Sequence, residues 1–149
     1  MSLTTEATPS AASAQPTKTW YEEFYAALDA KDISLLDRLC TPDTRVQFAN
    51  HEPCEGRTAV RDVLLHFWST IERMEHRFTN VFEVDDQALL EADVTYTRLD
   101  GSSVVIKAGT VIRRRDGLVA DQRIYVDLTP LTQGASPTEA RQSGEGETA

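Results

Sequence analysis

The fold of this chain is decided by residues 89–128, LLEADVTYTRLDGSSVVIKAGTVIRRRDGLVADQRIYVDL. Val, Ile, Thr and Tyr are frequent in this stretch, as they are in β-strands generally. Two Asp-Gly pairs interrupt it, at 100–101 and 116–117, and this dipeptide is a strong β-hairpin signal. The stretch therefore predicts three consecutive antiparallel strands, over Leu89–Arg98, Ser103–Arg113 and Leu118–Leu128.

The residues upstream of this stretch first alternate and then change to a helical period. From His76 to Asp85 the side chains alternate, and His76, Phe78, Phe82 and Val84 share one face, which predicts a fourth strand. Farther upstream, apolar residues recur every four positions at Trp20, Phe24 and Leu28, which indicates one face of a helix.

Two further helices are predicted between that first helix and the strands. Asp32 can cap a short second helix, which Pro42 ends, and a short strand follows over Arg45–Phe48. Thr58 is the expected N-cap of a long third helix that ends near Glu75. Helices followed by a run of strands predict an α+β fold. The apolar stripe of the third helix comprises Val60, Val63, Leu64, Phe67, Ile71 and Met74, with Trp68 at its edge.

Both ends of the chain have a composition that differs from the middle. Residues 1–17 are rich in Ala, Ser, Thr and Pro, and residues 132–149 are rich in Gly, Ser, Thr and Glu. Too few apolar side chains are present there to offset the entropy lost on ordering, so we expect two disordered tails around one domain at 18–131.

The composition excludes several classes of function. A net charge of −9 and a single basic cluster, Arg113–Arg115, argue against a nucleic-acid partner. The two cysteines, Cys40 and Cys54, lack metal-binding spacing and are expected to be free thiols in the cytoplasm. No stretch is typical of a signal peptide or a membrane span. The sequence shows no glycine-rich phosphate loop and no cluster of metal ligands, so no cofactor and no metal is expected.

Several short segments, in this order, carry a resemblance to a known family. They are Tyr25–Asp32 (YAALDAKD), Val46–Asn50 (VQFAN), Gly56–Val60 (GRTAV) and Arg123–Asp127 (RIYVD). The chain resembles SnoaL-like domains of the nuclear transport factor 2-like superfamily. The resemblance implies a cone, in which a curved antiparallel sheet and three N-terminal helices enclose a pocket. It also implies a small hydrophobic ligand and a homodimer through the outer sheet face.

The catalytic residues known in this superfamily are matched only in part. Ketosteroid isomerases carry a general-base aspartate where this chain has Phe48. Of the set used by limonene-epoxide hydrolases, Asn50 and Asp93 match, whereas Phe48, Glu91 and Ile124 replace a tyrosine, an arginine and an aspartate.

His76 occupies a place similar to that of a catalytic histidine in scytalone dehydratases, at the start of the strand after the long helix. It shares its face with Phe78, Phe82 and Val84, so we expect it to point inward. Its ring is then either an acid–base group or a hydrogen-bonded core residue.

The inward face of the strand at 89–98 depends on the Asp100-Gly101 turn. A two-residue turn directs Asp93, Thr95 and Thr97 into the pocket, whereas a three-residue loop directs Ala92, Val94 and Tyr96 there. The resemblance favours the first arrangement and the hydrophobic alternation favours the second. A three-residue loop at the Asp116-Gly117 turn would place Thr110, Ile112, Leu118, Ala120, Ile124 and Val126 on the interior face.

Two functions are compatible with these patterns. One is a cofactor-free isomerase, cyclase, dehydratase or hydrolase in which Asp93 and His76 exchange protons and Asn50 orients the substrate. The other is a non-catalytic ligand-binding or dimerisation module, in which Asn50 is only a loop-turn residue. The side chains expected to contact a ligand are Trp20, Phe24, Phe48, Trp68, Phe78, Thr95, Tyr96, Ile106 and Ile124.

Overall fold

A computed structural model describes residues 18–133. The expected N-terminal tail at 1–17 lies outside the described residues, as do residues 134–149 of the expected C-terminal tail. Thr132, the first residue of that expected tail, is the last residue of a short C-terminal helix. The elements are α1 (Trp20–Asp29), α2 (Leu35–Leu39), β1 (Cys40–Phe48), β2 (Cys54–Glu55), α3 (Arg57–Ser69), β3 (Ile71–Val84), β4 (Gln87–Arg98), β5 (Ser103–Arg115), β6 (Leu118–Val126) and α4 (Thr129–Thr132).

All six strands form one curled, unclosed sheet in the order β2-β1-β6-β5-β4-β3. Strands β3 to β6 form an antiparallel meander, and β1 joins its end by pairing parallel to β6. Helices α1 to α3 precede the meander and pack on its inner face. The predicted α+β class and the cone-shaped sheet are confirmed.

The first helix begins at a capping box. The Thr19 hydroxyl accepts a hydrogen bond from the Glu22 backbone N–H, and the Glu22 carboxylate accepts one from the Thr19 N–H. Two backbone N–H groups at the start of the helix, which have no carbonyl partner within it, are thereby hydrogen-bonded. Phe24, Tyr25 and Leu28 are buried on the face that meets the sheet.

The β4–β5 connection is a three-residue loop, Leu99–Gly101. The Arg98 N–H donates to Ser102 O at 2.7 Å, the Gly101 N–H donates to Arg98 O at 2.9 Å, and Gly101 has φ of 92°. This loop turns Ala92, Val94 and Tyr96 inward. The alternative that placed Asp93 and Thr95 in the pocket is therefore wrong, because one residue of register reverses every side chain of a strand.

A β-bulge in β3 changes the parity of that strand. The register shifts between the pairs Phe78–Ala92 and Asn80–Glu91, so Thr79 is an extra residue. Beyond it Val81 is partly buried, whereas Phe82 and Val84 are 58% and 68% exposed. The expectation that Phe82 and Val84 share the inner face with His76 is wrong for this reason.

A second irregularity separates β5 from β6. The Asp116-Gly117 turn has two residues with positive φ, and the register shifts at Arg113 and Arg114. Val119 and Gln122 are consequently buried on β6 in place of the expected Leu118 and Ala120. Ile124 and Val126 keep their predicted face.

The third helix starts and ends earlier than the sequence pattern indicates. Gly56, with φ of 93°, is the N-cap instead of Thr58, and the helix stops at Ser69. Ile71 and Met74 belong to β3, where they remain buried. The apolar period continues across this boundary because both elements face the same core. Within residues 18–133, no helix has the length and apolarity that crossing a membrane requires.

Candidate functional site

An inner cavity lies between helices α1 to α3 and the concave face of the sheet. Its volume is about 90 Å³, enough for several water-sized spheres or a small organic group. Most of its wall is apolar. Its polar end is formed by His76, by Tyr25, which contacts the His76 ring and hydrogen-bonds with Thr110 and Gln122, and by the neighbouring Tyr96. Apolar walls with few polar groups are typical of small-molecule sites. The polar members of the wall are Tyr25, Thr44, His76, Tyr96, Thr110 and Gln122, together with the indole of Trp68.

His76, on β3, is held by a carboxylate from the first helix. Its Nδ1 lies 2.7 Å from Asp29 Oδ1, and its backbone N–H donates to Asp29 Oδ2 at 2.9 Å. The side chains of His76 and Asp29 are only 14% and 22% exposed. A carboxylate accepts but does not donate, so it fixes the imidazole hydrogen on Nδ1 and leaves Nε2 free to accept a proton.

Two tyrosines lie beside this pair. Burial raises the pKa of Tyr25 to about 12, against the hydrogen bonds it makes with Thr110 and Gln122. Burial, with a smaller contribution from the Asp29 charge, raises the pKa of Tyr96 to about 12. Both phenols therefore remain protonated at neutral pH and can donate a hydrogen bond to an oxygen that gains negative charge.

The aromatic rings form a connected group around His76. The Tyr25 ring centroid is 4.6 Å from that of His76 and 5.0 Å from that of Phe78. Trp68 is 3% exposed, and its Nε1 has no hydrogen-bond partner among the described residues. Close packing on this side limits the rotation of the imidazole and keeps bulk water from the polar end.

A wider outer cleft opens next to the inner cavity. Its volume is about 910 Å³. The two spaces share Val46, Phe48, Val63 and Phe67 in their walls, so the cleft continues the cavity toward the surface. Phe48 and Phe67 lie with ring centroids 5.7 Å apart at the boundary.

Six of the predicted site residues lie in the wall of the inner cavity. His76 and Tyr96 belong to its polar end, and the other four contribute apolar or aromatic surface. The six are Phe24, Phe48, Trp68, His76, Tyr96 and Ile124.

Asp93 and Thr95 lie on the outer face of the sheet, away from the cavity. Asp93 Oδ2 accepts a hydrogen bond from Arg77 at 2.8 Å, and Oδ1 accepts one from Lys107 at 3.1 Å. The expected proximity of Asp93 and His76 is wrong, because the three-residue loop at 99–101 sets the opposite parity.

The remaining predicted residues lie around the site and outside the cavity wall. Asn50 is exposed in the turn after β1 and borders neither space, so its expected position in the pocket is wrong. The Trp20 indole donates to Glu83 at 2.9 Å, beneath the Arg114 guanidinium. Phe78 packs against Tyr25, and Ile106 is a buried core residue, so these three residues support the site without lining it.

Asp29 and Tyr25 were not among the predicted site residues, although the sequence contains a signal for them. Their spacing of four places both on one face of α1, which is the buried face. A carboxylate in the last turn of a helix is also disfavoured by the helix dipole. An acidic residue on an apolar face at a helix C-terminus therefore indicates a specific partner, which here is His76.

The described residues contain no set of three or more His, Cys, Asp or Glu side chains able to hold a metal ion. Cys40 and Cys54 are free thiols. The imidazole of His76 can act as a base or an acid, and the phenols of Tyr25 and Tyr96 can donate hydrogen bonds.

Solved structures with the same fold include proteins with several different descriptions. A putative SnoaL-like polyketide cyclase from Jannaschia sp. CCS1 is 20% identical, with a TM-score of 0.66 over 83% of this chain and 96% of that one. A hypothetical protein from Catenulispora acidiphila, described as having a ketosteroid isomerase-like fold, is 18% identical, with a TM-score of 0.71 over 83% of this chain and 98% of that one. An epoxide hydrolase of M. tuberculosis, described as LEH-like, is 17% identical, with a TM-score of 0.63 over 73% and 80%.

At these identities the structural likeness shows the fold alone. No curated protein matches the sequence. The model of one protein family does match it, over residues 21–122, and that family is described as the SnoaL-like domain. The match spans α1 to most of β6, which includes Asp29, His76 and the rest of the cavity wall as far as Gln122. The chain therefore belongs to the SnoaL-like domain family.

Proposed function

We propose that this protein is a cofactor-independent enzyme that moves protons on a hydrophobic carbonyl compound, with His76 as the general base. The observation that carries the proposal is the 2.7 Å contact between Asp29 Oδ1 and His76 Nδ1 at the polar end of an otherwise apolar cavity. Positioned acid–base groups of this kind typically contribute roughly 10²- to 10⁴-fold in rate.

In the proposed step, His76 Nε2 removes a proton from the carbon next to the carbonyl group. The electron pair of the broken C–H bond moves onto the carbonyl oxygen, which becomes an enolate oxygen. A protonated phenol, Tyr96 or Tyr25, stabilises that oxygen by donating a hydrogen bond. Asp29 stabilises the imidazolium, which then returns the proton.

The site to which the proton returns decides the reaction class. Return to another carbon of the conjugated system is an isomerisation, and delivery to a departing hydroxyl group is a dehydration. Attack of the enolate carbon on a second carbonyl of the same molecule is a cyclisation, in which the imidazolium protonates the new alkoxide. The polyketide cyclase description of the Jannaschia protein favours this last reaction. A hydrolase would use the same Nε2 to activate water.

The experiment measures exchange of solvent deuterium into the carbon next to the carbonyl of 2-tetralone, an apolar bicyclic ketone, by proton NMR. We expect the wild-type protein to accelerate exchange above buffer and His76→Gln to lose roughly 10²-fold or more of that acceleration. Folding of the variant is checked by circular dichroism. No acceleration by the wild-type protein, or equal acceleration by His76→Gln, would reject the proposed base.

The second candidate function is a dimerisation module without catalysis, and the outer sheet face favours it. Phe82, Leu89, Val105 and Tyr125 are between 42% and 60% exposed there. Exposed apolar side chains gathered on one face are typical of a protein–protein contact. The occupant proposed is a second copy of this chain, because a twofold contact needs only one self-complementary surface.

Sedimentation equilibrium tests the homodimer. We expect a dimeric mass for the wild-type protein and a monomeric mass for Val105→Glu/Phe82→Glu, with Leu65→Glu, an exposed position on α3, as the matched control. A monomeric wild-type protein would reject the dimer. A dimer alone leaves the enzyme possible, because the outer face and the inner cavity lie on opposite sides of the sheet, so a module without catalysis also requires that deuterium exchange be absent.

A further inference from the structure

The outer cleft is about ten times larger than the inner cavity that holds His76, with volumes of about 910 Å³ and 90 Å³. A ligand that fills both spaces therefore has a small reactive end and a much larger body. The wall of the cleft is apolar along most of its length, with Ile71, Leu99, Leu128 and Leu131 beyond the shared residues. Binding sites of this size and composition take drug-sized apolar molecules.

One wall of the cleft is built by the C-terminal helix and is fixed in place by Arg98. The guanidinium donates from Nε to Leu131 O at 3.1 Å and from a terminal nitrogen to Pro130 O at 2.9 Å. A further hydrogen bond, at 2.9 Å, joins it to the Ser102 hydroxyl. These bonds tie α4 to the β4–β5 loop, so Leu128 and Leu131 form a preformed part of the wall. Preformed walls reduce the ordering cost of binding.

The charges around the cleft are mostly negative. Glu52, Asp62 and Asp100 carry carboxylates, whereas Arg98 is the one lysine or arginine in the described wall and is already engaged with carbonyl oxygens. Hydrogen bonds from Ser102 hold the pKa of Asp100 below its ordinary value, so that carboxylate is charged at neutral pH. The chain as a whole has a net charge of −9, which adds to the same field. An anionic ligand is repelled by the carboxylates around the cleft and by the net negative charge of the chain.

We propose that the outer cleft binds the uncharged body of an extended apolar ligand whose small end enters the inner cavity, and that it discriminates against ligands with an anionic body. Free carboxylates, sulfonates and thioesters on a phosphorylated carrier are thereby disfavoured. The proposal deepens the proposed function, since it names the substrate class of the same site. It concerns binding alone, so it can hold or fail independently of the catalytic role of His76.

Two fluorescent probes with one skeleton test the discrimination. N-phenylnaphthylamine is neutral, and anilinonaphthalene sulfonate carries the same rings with one negative charge. At pH 8 and low salt, where imidazole side chains are ordinarily neutral, we expect the neutral probe to bind at least tenfold more tightly. Added salt should narrow the difference, because it screens charges at the rim. Equal affinities, or no binding of the neutral probe, would overturn the proposal.

Charge-reversal variants locate the origin of the discrimination. In Glu52→Lys/Asp62→Lys we expect the affinity for the sulfonate probe to rise to within about threefold of the affinity for the neutral probe. Glu23→Lys/Glu72→Lys changes the net charge equally at exposed positions outside the cleft and is the matched control. If the control restores sulfonate binding as fully as the rim variant, the net charge of the chain is responsible and the assignment to the cleft is wrong.

Steric variants on α3 test whether the probe occupies the cleft. Val63 borders both spaces and is 43% exposed, and Leu65 is 46% exposed on the same helix and borders neither. We expect Val63→Trp to lower the affinity for the neutral probe at least tenfold. Leu65→Trp should keep that affinity within twofold of the wild-type value. Similar effects from both would show that the probe binds elsewhere. Equal deuterium exchange in the wild-type protein and in His76→Gln, with probe discrimination intact, would reject the catalytic proposal and leave this one standing.

Discussion

Asp29 holds His76 at two points, with its Oδ1 2.7 Å from the ring Nδ1 and its Oδ2 accepting from the backbone N–H at 2.9 Å. The carboxylate lies in the last turn of α1, where the negative end of the helix dipole disfavours it by about 0.3–1 kcal/mol. The contact with β3 thus joins the first helix to the sheet and fixes the imidazole. Helix stability alone would not favour a carboxylate at this position of α1.

We expect Asp29→Asn to reduce deuterium exchange into 2-tetralone by roughly 10²-fold while the protein remains folded. The amide can still accept from the His76 backbone N–H, but it no longer stabilises an imidazolium and can favour the wrong tautomer. The measurement is the exchange rate by NMR, with Glu23→Gln on the exposed side of α1 as the control. An exchange rate equal to that of the wild-type protein would show that His76 acts without this partner.

Most of the fold could be predicted from the sequence because its elements have strong local signals. The Asp-Gly pairs gave the hairpins, and the change of period gave the order of helices and strands. The errors lie where one inserted residue changes parity: Thr79 in β3, the bulge opposite Arg113–Arg114, and the loop at 99–101. A bulge leaves no local compositional mark, so periodicity alone cannot locate it.

Strand parity also explains how much of the site could be predicted from the sequence. His76 lies before the β3 bulge and lines the cavity, whereas Phe82 and Val84, which were expected to share its face, lie beyond the bulge and are exposed. The position of Asp93 depended on the length of one turn, and there the hydrophobic alternation of Ala92, Val94 and Tyr96 was the better guide. Asp29 acts across 47 positions of sequence, and no pattern within α1 identifies its partner.

We expect Asp93→Asn to leave deuterium exchange unchanged and to cost less than about 1 kcal/mol of stability. Asp93 lies on the outer face with its side chain 18% exposed, but its partners Arg77 and Lys107 are 74% and 88% exposed, so solvent screens both ion pairs and they contribute little. Exchange rates and urea unfolding measure the two effects. A large fall in exchange rate with unchanged stability would indicate that Asp93 reaches the substrate after all.

We expect the stability of the protein to fall as pH rises from about 10 to about 12, partly because of Tyr25 and Tyr96. Burial raises both pKa values to about 12 from the ordinary tyrosine value of 10.0, so over this range the folded protein holds protons that the unfolded chain has released. Each phenol then contributes a loss of up to about 1.4 kcal/mol per pH unit. Urea unfolding at several alkaline pH values should give a shallower decline for Tyr96→Phe, whereas Tyr125→Phe, at an exposed position, should keep the wild-type slope.

We expect Cys40 to resist alkylation in the folded protein and to react only after unfolding. It is 2% exposed, and burial raises its pKa to about 11, so the reactive thiolate is scarce at pH 8. Cys54 is partly exposed on β2 and should react first. Iodoacetamide labelling followed by peptide mass spectrometry measures both rates. Equal labelling of the two thiols in the absence of denaturant would contradict the burial of Cys40 at the start of β1.

We expect Ala49→Gly to stabilise the protein by about 0.5 kcal/mol. Ala49 follows β1 with φ of 52°, in the left-handed region where a Cβ atom costs about 1–2 kcal/mol. Glycine removes this strain but loses more backbone entropy on folding than alanine, so the net stabilisation is smaller. The Ala49 N–H donates to Ile124 O at 2.8 Å, and glycine can keep this bond. The matched control is Ala26→Gly on the exposed side of α1, which should cost about 1 kcal/mol because glycine is a poor helix former. Urea unfolding compares the two, and destabilisation by both would show that the turn after β1 is not strained.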